Sequence, residues 1–495
     1  MLLPPRLDEL IGPDSVARLI DVFVDHLDLT ALNLRALRDE HTRGRPAFHP
    51  TTMLKLYLYG YLHRTRSSRL LQREARVNLE VIWLLQELRP DFHTIAAFRA
   101  RNSDAFTSAF RQFNAWLKQL GAFGGQLVAL DGVKLRASNS TDQVFTEKRL
   151  TQLITQTTGQ LEELSQWMLQ LDRHDADDDE ADNDEDDPGE GGGTPLQKEL
   201  KATRAKLARA RDRMAGLKRR MRELKRSDQS QIALTDPDCR LMYGNHPRST
   251  EASYNGQIAV DDRHALIAAQ DLTHQENDRR QLAPMAEQLV KTLGVDADHP
   301  LVLVADSGYD SAVQFSTCEQ YEGVTTLVPL VKASARKDGA DLYPKERFEY
   351  DAQRDQYRCP SGAILPLGSE TKSGPRPDRR YYYNRAACRA CELRERCTRA
   401  KEGVRKIRRR VSEAAREAMA RRLLQPENRA RLRKRGGLVE GPFGVMKQQF
   451  GFGDFRVRGL EKVRGEFSLM TLSYNLRRAI NVFGMEKLLK TMAAA

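Results

Sequence analysis

A run of like charges near the middle of the chain constrains the fold most strongly. In HDADDDEADNDEDDPGEGGG (residues 174–193), eleven of the twenty residues are Asp or Glu, and glycines close the run. Side chains that repel one another and bury no apolar surface do not support a packed core, so residues 172–193 are expected to be disordered. The core must therefore be assembled from segments on both sides of this acidic run.

Heptad patterns flank the acidic run on both sides. Apolar residues at these spacings predict two helical arms that pack as an antiparallel, coiled-coil-like hairpin over residues 146–229. The function of the hairpin stays open between dimerisation, DNA contact and an inert spacer. The predicted seam positions are Leu150, Ile154, Thr157, Leu161, Leu164, Met168 and Leu171 in the first arm, and Leu200, Thr203, Leu207, Ala210, Met214, Leu217, Met221 and Leu224 in the second.

Residues 1–120 form the predicted all-helical N-terminal domain. Apolar residues recur there at helical spacing, and basic segments such as RSSR and FRAR lie between them. Small helices with such surfaces suit docking against DNA. A helical bundle with a solvated basic face fits the same pattern equally well.

The overall charge is basic, since 80 Lys and Arg residues against 68 Asp and Glu residues give a net charge of +12. A cationic surface attracts phosphate backbones by counterion release. No apolar run approaches the roughly 18 residues that a membrane-spanning helix needs, and the first residues lack the apolar stretch of a signal peptide. We therefore expect a cytoplasmic protein with no membrane partner.

After residue 120 the pattern changes to strands that alternate with helices, over residues 121–145 and 230–335. This α/β pattern predicts a mixed sheet flanked by helices. Two apolar strands, in VALDG and VLVADSG, each end in an aspartate closely followed by glycine, and these are Asp131 and Asp306. The carboxyl ends of strands are where open α/β sheets place their ligands. One such aspartate is commonly a turn former, but two on neighbouring strands of a basic protein favour a metal site.

Carboxylate oxygens suit Mg²⁺ or Mn²⁺, and two such ions can activate a nucleophile and stabilise a leaving oxygen in phosphodiester cleavage. Asp131 is predicted to bridge the two ions. The third carboxylate is not decided by composition. Glu440, in RGGLVEGPFGVMKQQFG, is the candidate, although a glutamate in the first turn of a helix also favours the helix dipole. Its competitors are Asp261, Asp262, Asp310, Asp454 and Glu466.

Four of the six cysteines fall in one segment, over residues 336–400, which interrupts the strand–helix pattern. A C-x2-C pair with two further cysteines has the composition of a tetrahedral Zn²⁺ site, and reduced thiols in a basic flap are the alternative. The four residues are Cys359, Cys388, Cys391 and Cys397.

Three parts of the chain together resemble a known family. They are the N-terminal segment from GRPAFHP to IAAFR, the motifs LVALDGVKLRASNS and LVADSGYD, and the C-terminal segment VEGPFGVMKQQFGFGDFRVRGLEKVRGEFSLMTLSYNLRRA. The chain resembles bacterial insertion-sequence DDE transposases of the IS1182 group, within the IS4/IS5-like superfamily. The resemblance covers nearly the whole chain apart from the acidic run.

This resemblance implies an RNase H-like core completed by C-terminal helices over residues 401–495. It also implies a Mg²⁺-dependent catalytic triad of Asp131, Asp306 and Glu440. The implied partners are double-stranded DNA at transposon ends and targets, bound by a nucleoid-associated homodimer that cuts strands and joins 3′-hydroxyl ends. An arginine before the glutamate and a lysine after it are expected to bind terminal phosphates, and these are Arg435 and Lys447.

Further DNA contacts are predicted from the basic N-terminal segments. A non-enzymatic DNA-binding protein that retains a transposase fold, and a stand-alone RNase H-like nuclease, are the rival hypotheses. The predicted N-terminal DNA-binding residues are Arg43, Arg45, Arg64, Arg66, Arg69 and Arg99.

Overall fold

Strands from distant parts of the chain form the centre of the molecule. The computed structural model describes residues 5–35, 47–181, 195–227, 229–243, 250–331, 342–371, 379–410 and 412–494. The strands are β1 (Leu127–Arg136), β2 (Val144–Thr146), β3 (Gln231–Ala233), β4 (Arg240–Tyr243), β5 (Thr250–Asp261), β6 (Ile267–Thr273), β7 (Leu301–Val304), β8 (Val324–Leu327), β9 (Glu349–Asp351), β10 (Gln356–Arg358), β11 (Ile364–Leu365), β12 (Leu367–Thr371), β13 (Arg379–Tyr382) and β14 (Ile407–Arg410).

Helices cover both faces of the central sheet and form the hairpin. No helix in the described ranges is both long and apolar enough to cross a membrane. The helices are α1 (Val16–Asp25), α2 (Leu29–Leu32), α3 (Pro50–Leu62), α4 (Ser68–Val77), α5 (Leu79–Leu84), α6 (Phe92–Arg101), α7 (Ser103–Gln119), α8 (Glu147–Ala181), α9 (Pro195–Arg226), α10 (Leu282–Leu293), α11 (Ala312–Cys318), α12 (Arg385–Arg389), α13 (Glu413–Leu424), α14 (Pro426–Gly444), α15 (Leu460–Phe483) and α16 (Met485–Ala493).

The central sheet has six strands and is mixed, as the alternation of strands and helices predicts. β5 pairs antiparallel with β1, β4 and β6, whereas β1, β7 and β8 are mutually parallel. Side chains of β1 alternate between two apolar layers, because successive residues of a strand point to opposite faces. Val128 and Leu130 pack on the side of α10, α11 and α13, while Leu127, Ala129 and Val133 pack with the N-terminal and C-terminal helices. Both faces of the sheet are therefore buried.

Helices α1 to α7 do not form a hydrophobic core of their own. They share one apolar core with β1, β5 and β6 and with α14 to α16, and α15 is buried along most of its length. The all-helical segment expected over residues 1–120 is therefore continuous with the core of the molecule.

The hairpin follows its heptads. α8 and α9 are antiparallel, since Asp172 lies 3.6 Å from Arg204 while Glu147 lies 3.9 Å from Lys225. Of the predicted seam positions, each is buried or half-buried. The prediction of disorder over residues 172–193 is wrong for residues 172–181, which continue α8, and its remainder lies outside the described residues.

The cysteine-bearing segment folds as two small sheets, β9–β10–β11 and β12–β13–β14, both antiparallel. Its apolar core consists of only a few buried side chains, which are Phe348, Tyr357, Leu365, Tyr382 and Ile407. A core of this size provides little stabilisation on its own.

α14 differs from its sequence prediction. The Gly436–Gly437 pair predicts a loop before a helix that begins at residue 438, but the helix begins at Pro426 and runs through both glycines. Burial of Val439 and Pro442 against the sheet outweighs the low helix propensity of glycine. Pro442 lies inside the helix, and a π-helical turn, Val445–Gln449, follows.

Candidate active site

Asp131 is the fifth residue of the ten-residue strand β1. The sequence places it at the end of a strand, which is wrong, because β1 continues to Arg136 along its antiparallel neighbour β5. The parallel neighbour β7 pairs only with residues 127–129. Asp131 therefore lies just beyond the end of the parallel pairing.

Asp306 follows the end of β7 by two residues. Because Ala129 pairs with Val304, extending this parallel register by two residues brings Asp306 level with Asp131. Asp306 also caps the single 3₁₀ turn Ser307–Tyr309, since its Oδ1 accepts a hydrogen bond of 2.8 Å from the Gly308 amide. The cap uses Oδ1 and fixes the carboxylate at the edge of the sheet.

The two carboxylates interact electrostatically. Burial raises the pKa of Asp131, and the negative charge of Asp306 raises it further, while Arg435 and the Gly132 amide oppose the shift. The Arg435 guanidinium lies 3.0 Å from Asp131 Oδ2, and both side chains are between one fifth and one quarter exposed. Two partly buried carboxylates of this kind favour a cation between them.

Asp278, which the sequence analysis missed, is a third carboxylate at this edge. It lies between β6 and α10, where Asn255 and Gln257 of β5 both donate side-chain hydrogen bonds to its Oδ1, at 2.6 and 2.7 Å. A signal was present, because Asp278 follows a strand and precedes a helix as Asp306 does, but no glycine motif marks it.

The geometry of this edge explains why glycine follows each aspartate of the two motifs. A Cβ atom on Gly132 would lie 2.7 Å from Asp278 Oδ1, and one on Gly308 would lie 2.9 Å from Asp306 Oδ1 and 3.6 Å from Asp278 Oδ2. A side chain at either position would collide with the carboxylates or displace them. The Asp-Gly and Asp-Ser-Gly sequences therefore allow three carboxylates to approach one edge.

Two further residues complete this edge. Lys134 Nζ lies 3.6 Å from Asp278 Oδ1. Burial lowers the pKa of Lys134, and the negative charges of Asp278, Asp131 and Asp306 partly offset this effect. The hydroxyl of Tyr309, which is fully buried, donates a hydrogen bond to Gln257 Oε1.

Glu440 lies on α14, five residues after Arg435. The side chain is exposed, and the Cβ position of Gly436, one turn earlier, is 3.4 Å from its Oε1. The structure therefore brings α14 to Asp131 through Arg435, whereas the catalytic role of Glu440 stays a prediction. Lys447 lies on the π-helical turn, where burial lowers its pKa and Glu251 partly offsets the shift.

Most competitors of Glu440 have structural partners. Asp261 accepts hydrogen bonds from the amides of residues 124, 125 and 263, and Asp310 accepts one from the amide of Val331 and pairs with Arg416. Asp454 pairs with Arg66 at 2.9 Å. Asp262 lies beside the first residue of β1, where its amide donates a hydrogen bond to the carbonyl of Leu127.

Glu466, the remaining competitor, is fully buried on α15. Its Oε1 accepts a hydrogen bond of 2.7 Å from the Tyr61 hydroxyl, and its Oε2 accepts bonds from the amides of Arg456 and Val457. A carboxylate enclosed in this way has no access to DNA or to a metal shared with Asp131, so it is a structural residue.

The predicted N-terminal DNA contacts divide into three groups. Arg66 and Arg99 are only 6% and 7% exposed, and both lie within 4 Å of Glu466, so the prediction that they contact DNA is wrong. Arg66 also donates to the carbonyls of residues 451 and 454. Arg64 and Arg69 are exposed, and their DNA contacts stay predictions. The prediction for residues 43 and 45 lies outside the described residues.

The four clustered cysteines line one cavity in the C-terminal half of the chain. All are free thiols. Burial raises the pKa of Cys397, and the charges of the other three add to the shift, so the four sulfurs interact. Across the described ranges, however, no three His, Cys, Asp or Glu side chains are arranged to hold a metal ion as they stand.

Two family models match the chain. The Transposase DDE domain matches residues 358–480, and the Transposase domain (DUF772) matches residues 5–101. Two separate parts of the chain are therefore similar to transposase domains. The resemblance to transposases is confirmed at this level, although not for a particular insertion-sequence group.

The DDE match spans the four cysteines and α14 with Glu440, whereas Asp131 and Asp306 lie between the two matched ranges. Comparisons with curated proteins and with solved structures gave no match.

Proposed function

We propose that this chain is a DNA transposase that cleaves strands at transposon ends and joins their 3′-hydroxyls to target DNA, with Asp131, Asp306 and Glu440 as its catalytic triad. One observation carries the proposal. Asp131 lies on β1, Asp306 lies two residues past the end of its parallel neighbour β7, and Arg435 reaches Asp131 from the helix that also bears Glu440.

The order of the central strands supports an RNase H-like core. β6, β5 and β1 are consecutive antiparallel neighbours, and β7 and β8 continue the sheet parallel to β1, with α10 and α11 as the intervening helices. The hairpin and the cysteine-bearing segment enter this order as insertions, between β1 and β5 and between β8 and α14.

The residues at this edge fit a divalent cation such as Mg²⁺ or Mn²⁺. Asp131 and Asp306 supply hard oxygen ligands, and burial, with a smaller contribution from the charge of Asp306, raises the pKa of Asp131 even with Arg435 alongside. Asp131, Asp306 and Glu440 would hold two ions, which activate a nucleophile and stabilise a leaving oxygen when bound. Once Asp131 is neutralised, the Arg435 guanidinium is available to bind a DNA phosphate.

The outer face of α4 supports recognition of transposon ends by the N-terminal helices. Arg69, Arg73 and Arg76 are all exposed and are spaced by four and three residues, so they share one side of the helix. Such a basic stripe suits contact with phosphates. We propose that it binds terminal-repeat DNA, that Lys447 binds phosphate near the site, and that a homodimer brings two ends together.

A cleavage and joining assay tests the function. Full-length protein is incubated with a duplex from the end of the DNA segment that encodes it, together with a target plasmid, in Mg²⁺ or in EDTA. Nicking and joining that require Mg²⁺ support a transposase. Nicking without joining would make the chain a nuclease, and binding without either reaction would make it a DNA-binding protein.

The role of Glu440 needs a separate comparison within α14. Glu440→Gln is expected to abolish cleavage while DNA affinity is retained. Glu427→Gln is the matched control, because Glu427 lies on the same helix and is also exposed, paired with Arg431. Equal cleavage by both variants would remove Glu440 from the triad and leave Asp278 as the nearest replacement.

We also propose that Cys359, Cys388, Cys391 and Cys397 bind one structural Zn²⁺. Cys388 lies in the short helix α12, the other three cysteines lie outside the helices and strands of the small-core segment, and all four line one cavity. Zinc would hold together three chain segments that the apolar core stabilises only weakly. Metal analysis of purified protein should give one zinc per chain, lost in Cys388→Ser and retained in Cys318→Ala. Protein purified without zinc would refute this assignment.

A further inference from the structure

We propose that Lys134 binds a phosphate oxygen of the DNA at the Asp131–Asp306 edge, and that Asp278 is the positioning residue that holds it there. The proposal rests on the proposed function and adds to it a phosphate contact that lies outside the triad.

Two side chains of β5 hold the carboxylate of Asp278 in place. Asn255 and Gln257 donate to the same oxygen, Oδ1, and both amide side chains are fully buried. Each amide is fixed in turn, because Asn255 also donates to the carbonyl of Gln275 at 3.2 Å and Gln257 accepts from Tyr309. The carboxylate position is therefore set by the sheet and does not depend on Lys134.

Asp278 holds the Lys134 ammonium in place without occupying all of its hydrogen-bond donors. Its ammonium lies 3.6 Å from Asp278 Oδ1, and within the described ranges Asp278 is the one acidic partner at ion-pair distance. An ammonium has three donors, and this pair occupies at most one. The side chain is 22% exposed, so part of it is accessible to solvent.

The charge of the edge explains why a cation is needed. Three carboxylates, Asp131, Asp278 and Asp306, face Lys134 and contribute to its electrostatic surroundings. Such an edge repels a phosphodiester until positive charge compensates it. A lysine ammonium anchored three residues after Asp131 supplies fixed positive charge where the backbone of the DNA must approach.

A salt titration of DNA binding measures the contact without relying on catalysis. Binding to the duplex from the encoding segment is followed over a range of KCl concentrations without divalent metal. Lys134→Ala should reduce the slope of log K against log salt by about 0.9, the value for one phosphate contact. Lys134→Arg should keep the slope. Lys291→Ala, an exposed lysine at the far end of α10 paired with Glu287, is the matched control.

Cleavage supplies the second measurement. Lys134→Ala is expected to reduce the cleavage rate on the order of 10²-fold, with partial recovery in Lys134→Arg. Asp278→Asn keeps an oxygen for Asn255 and Gln257 and removes only the charge. Loss of that charge lowers the pKa of Lys134, with Asp131 and Asp306 still facing it, so cleavage should decline at a lower alkaline pH than in the wild type.

The outcomes separate the two proposals. A wild-type protein that neither cuts nor joins DNA overturns the proposed function. If the wild type is active and Lys134→Ala keeps both the salt slope and the cleavage rate, Lys134 is a structural partner of Asp278 and this inference is wrong. A changed slope with intact thermal stability supports it.

Discussion

Two clusters in this molecule pair carboxylates with arginines, and they have opposite environments. Glu466 is fully buried, and a tyrosine hydroxyl, two backbone amides and two arginines surround it. Asp131 has one arginine and its own neighbouring amide, is partly exposed, and faces a second carboxylate. Both carboxylate oxygens of Glu466 accept hydrogen bonds from within the protein, whereas Asp131 faces the negative charge of a second carboxylate.

The difference indicates which cluster stabilises the fold and which can bind a ligand. A buried carboxylate with every partner in place contributes to holding its elements together, and removing it leaves uncompensated charges. A partly buried carboxylate whose pKa is raised costs stability in its ionised form, and a cation recovers that cost. The four predictions below test this division, in order of expected effect.

Asp131→Asn is expected to reduce cleavage on the order of 10³-fold, because a ligand of the proposed metal site is lost. DNA binding should be retained. The measurement is single-turnover cleavage with a parallel binding titration, and Asp298→Asn, an exposed loop aspartate, is the control. Residual activity near that of the control would place Asp131 outside the chemistry.

Glu466→Gln should have the opposite profile. Loss of the negative charge leaves Arg66 and Arg99 buried without compensation, which is expected to lower the free energy of unfolding by about 3–5 kcal/mol. Chemical denaturation measures this, and cleavage per folded molecule should be retained. A variant that is stable but inactive would contradict the division between the clusters.

Tyr61→Phe tests one bond of the buried cluster. The 2.7 Å hydrogen bond from its hydroxyl to Glu466 Oε1 is lost while the ring packing remains. A hydrogen bond to a charged group predicts a loss of about 2 kcal/mol, smaller than for Glu466→Gln. Denaturation of the two single variants and the double variant gives the coupling, and strictly additive effects would argue against a shared network.

The smallest of the four expected effects is the contribution of Asp131 to the pH dependence of stability. Because the pKa of Asp131 is raised in the folded protein, ionisation costs stability as pH rises above the usual aspartate range. Without metal, Asp131→Asn should therefore be more stable than the wild type at neutral pH, and the difference should vanish in acid. Thermal unfolding at several pH values measures it. Equal stability at every pH would mean that Arg435 fully compensates Asp131.

Sequence periodicity predicted the parts of the fold that repeat. The heptads gave the seam of the α8–α9 hairpin, because burial along a helix pair follows the 3.5-residue period directly. The apolar strands gave Asp131 and Asp306. The placement of Asp131 at the carboxyl end of its strand was wrong, since the period does not show that β1 extends beyond its parallel partner.

Features that depend on tertiary contacts could not be predicted in this way. The charge of Arg66 and Arg99 suggests DNA contacts. In the fold, however, both side chains are buried beside Glu466, which lies far away in the chain. Asp278 was missed because its position depends on hydrogen bonds from Asn255 and Gln257 of β5, which the sequence does not reveal. The passage of α14 through Gly436 and Gly437 reflects packing on the sheet, which outweighs local propensity.

The hydrogen bond between Tyr61 and Glu466 joins residues separated by 405 positions. During synthesis, the ribosome releases the N-terminal helices long before residue 466 exists, so their shared core with α15 cannot close until α15 has been made. Chains that terminate early lack this closure and expose the apolar faces of α3 and α6. Folding of α3 and α6 therefore waits for α15, which lies more than 350 residues later in the chain.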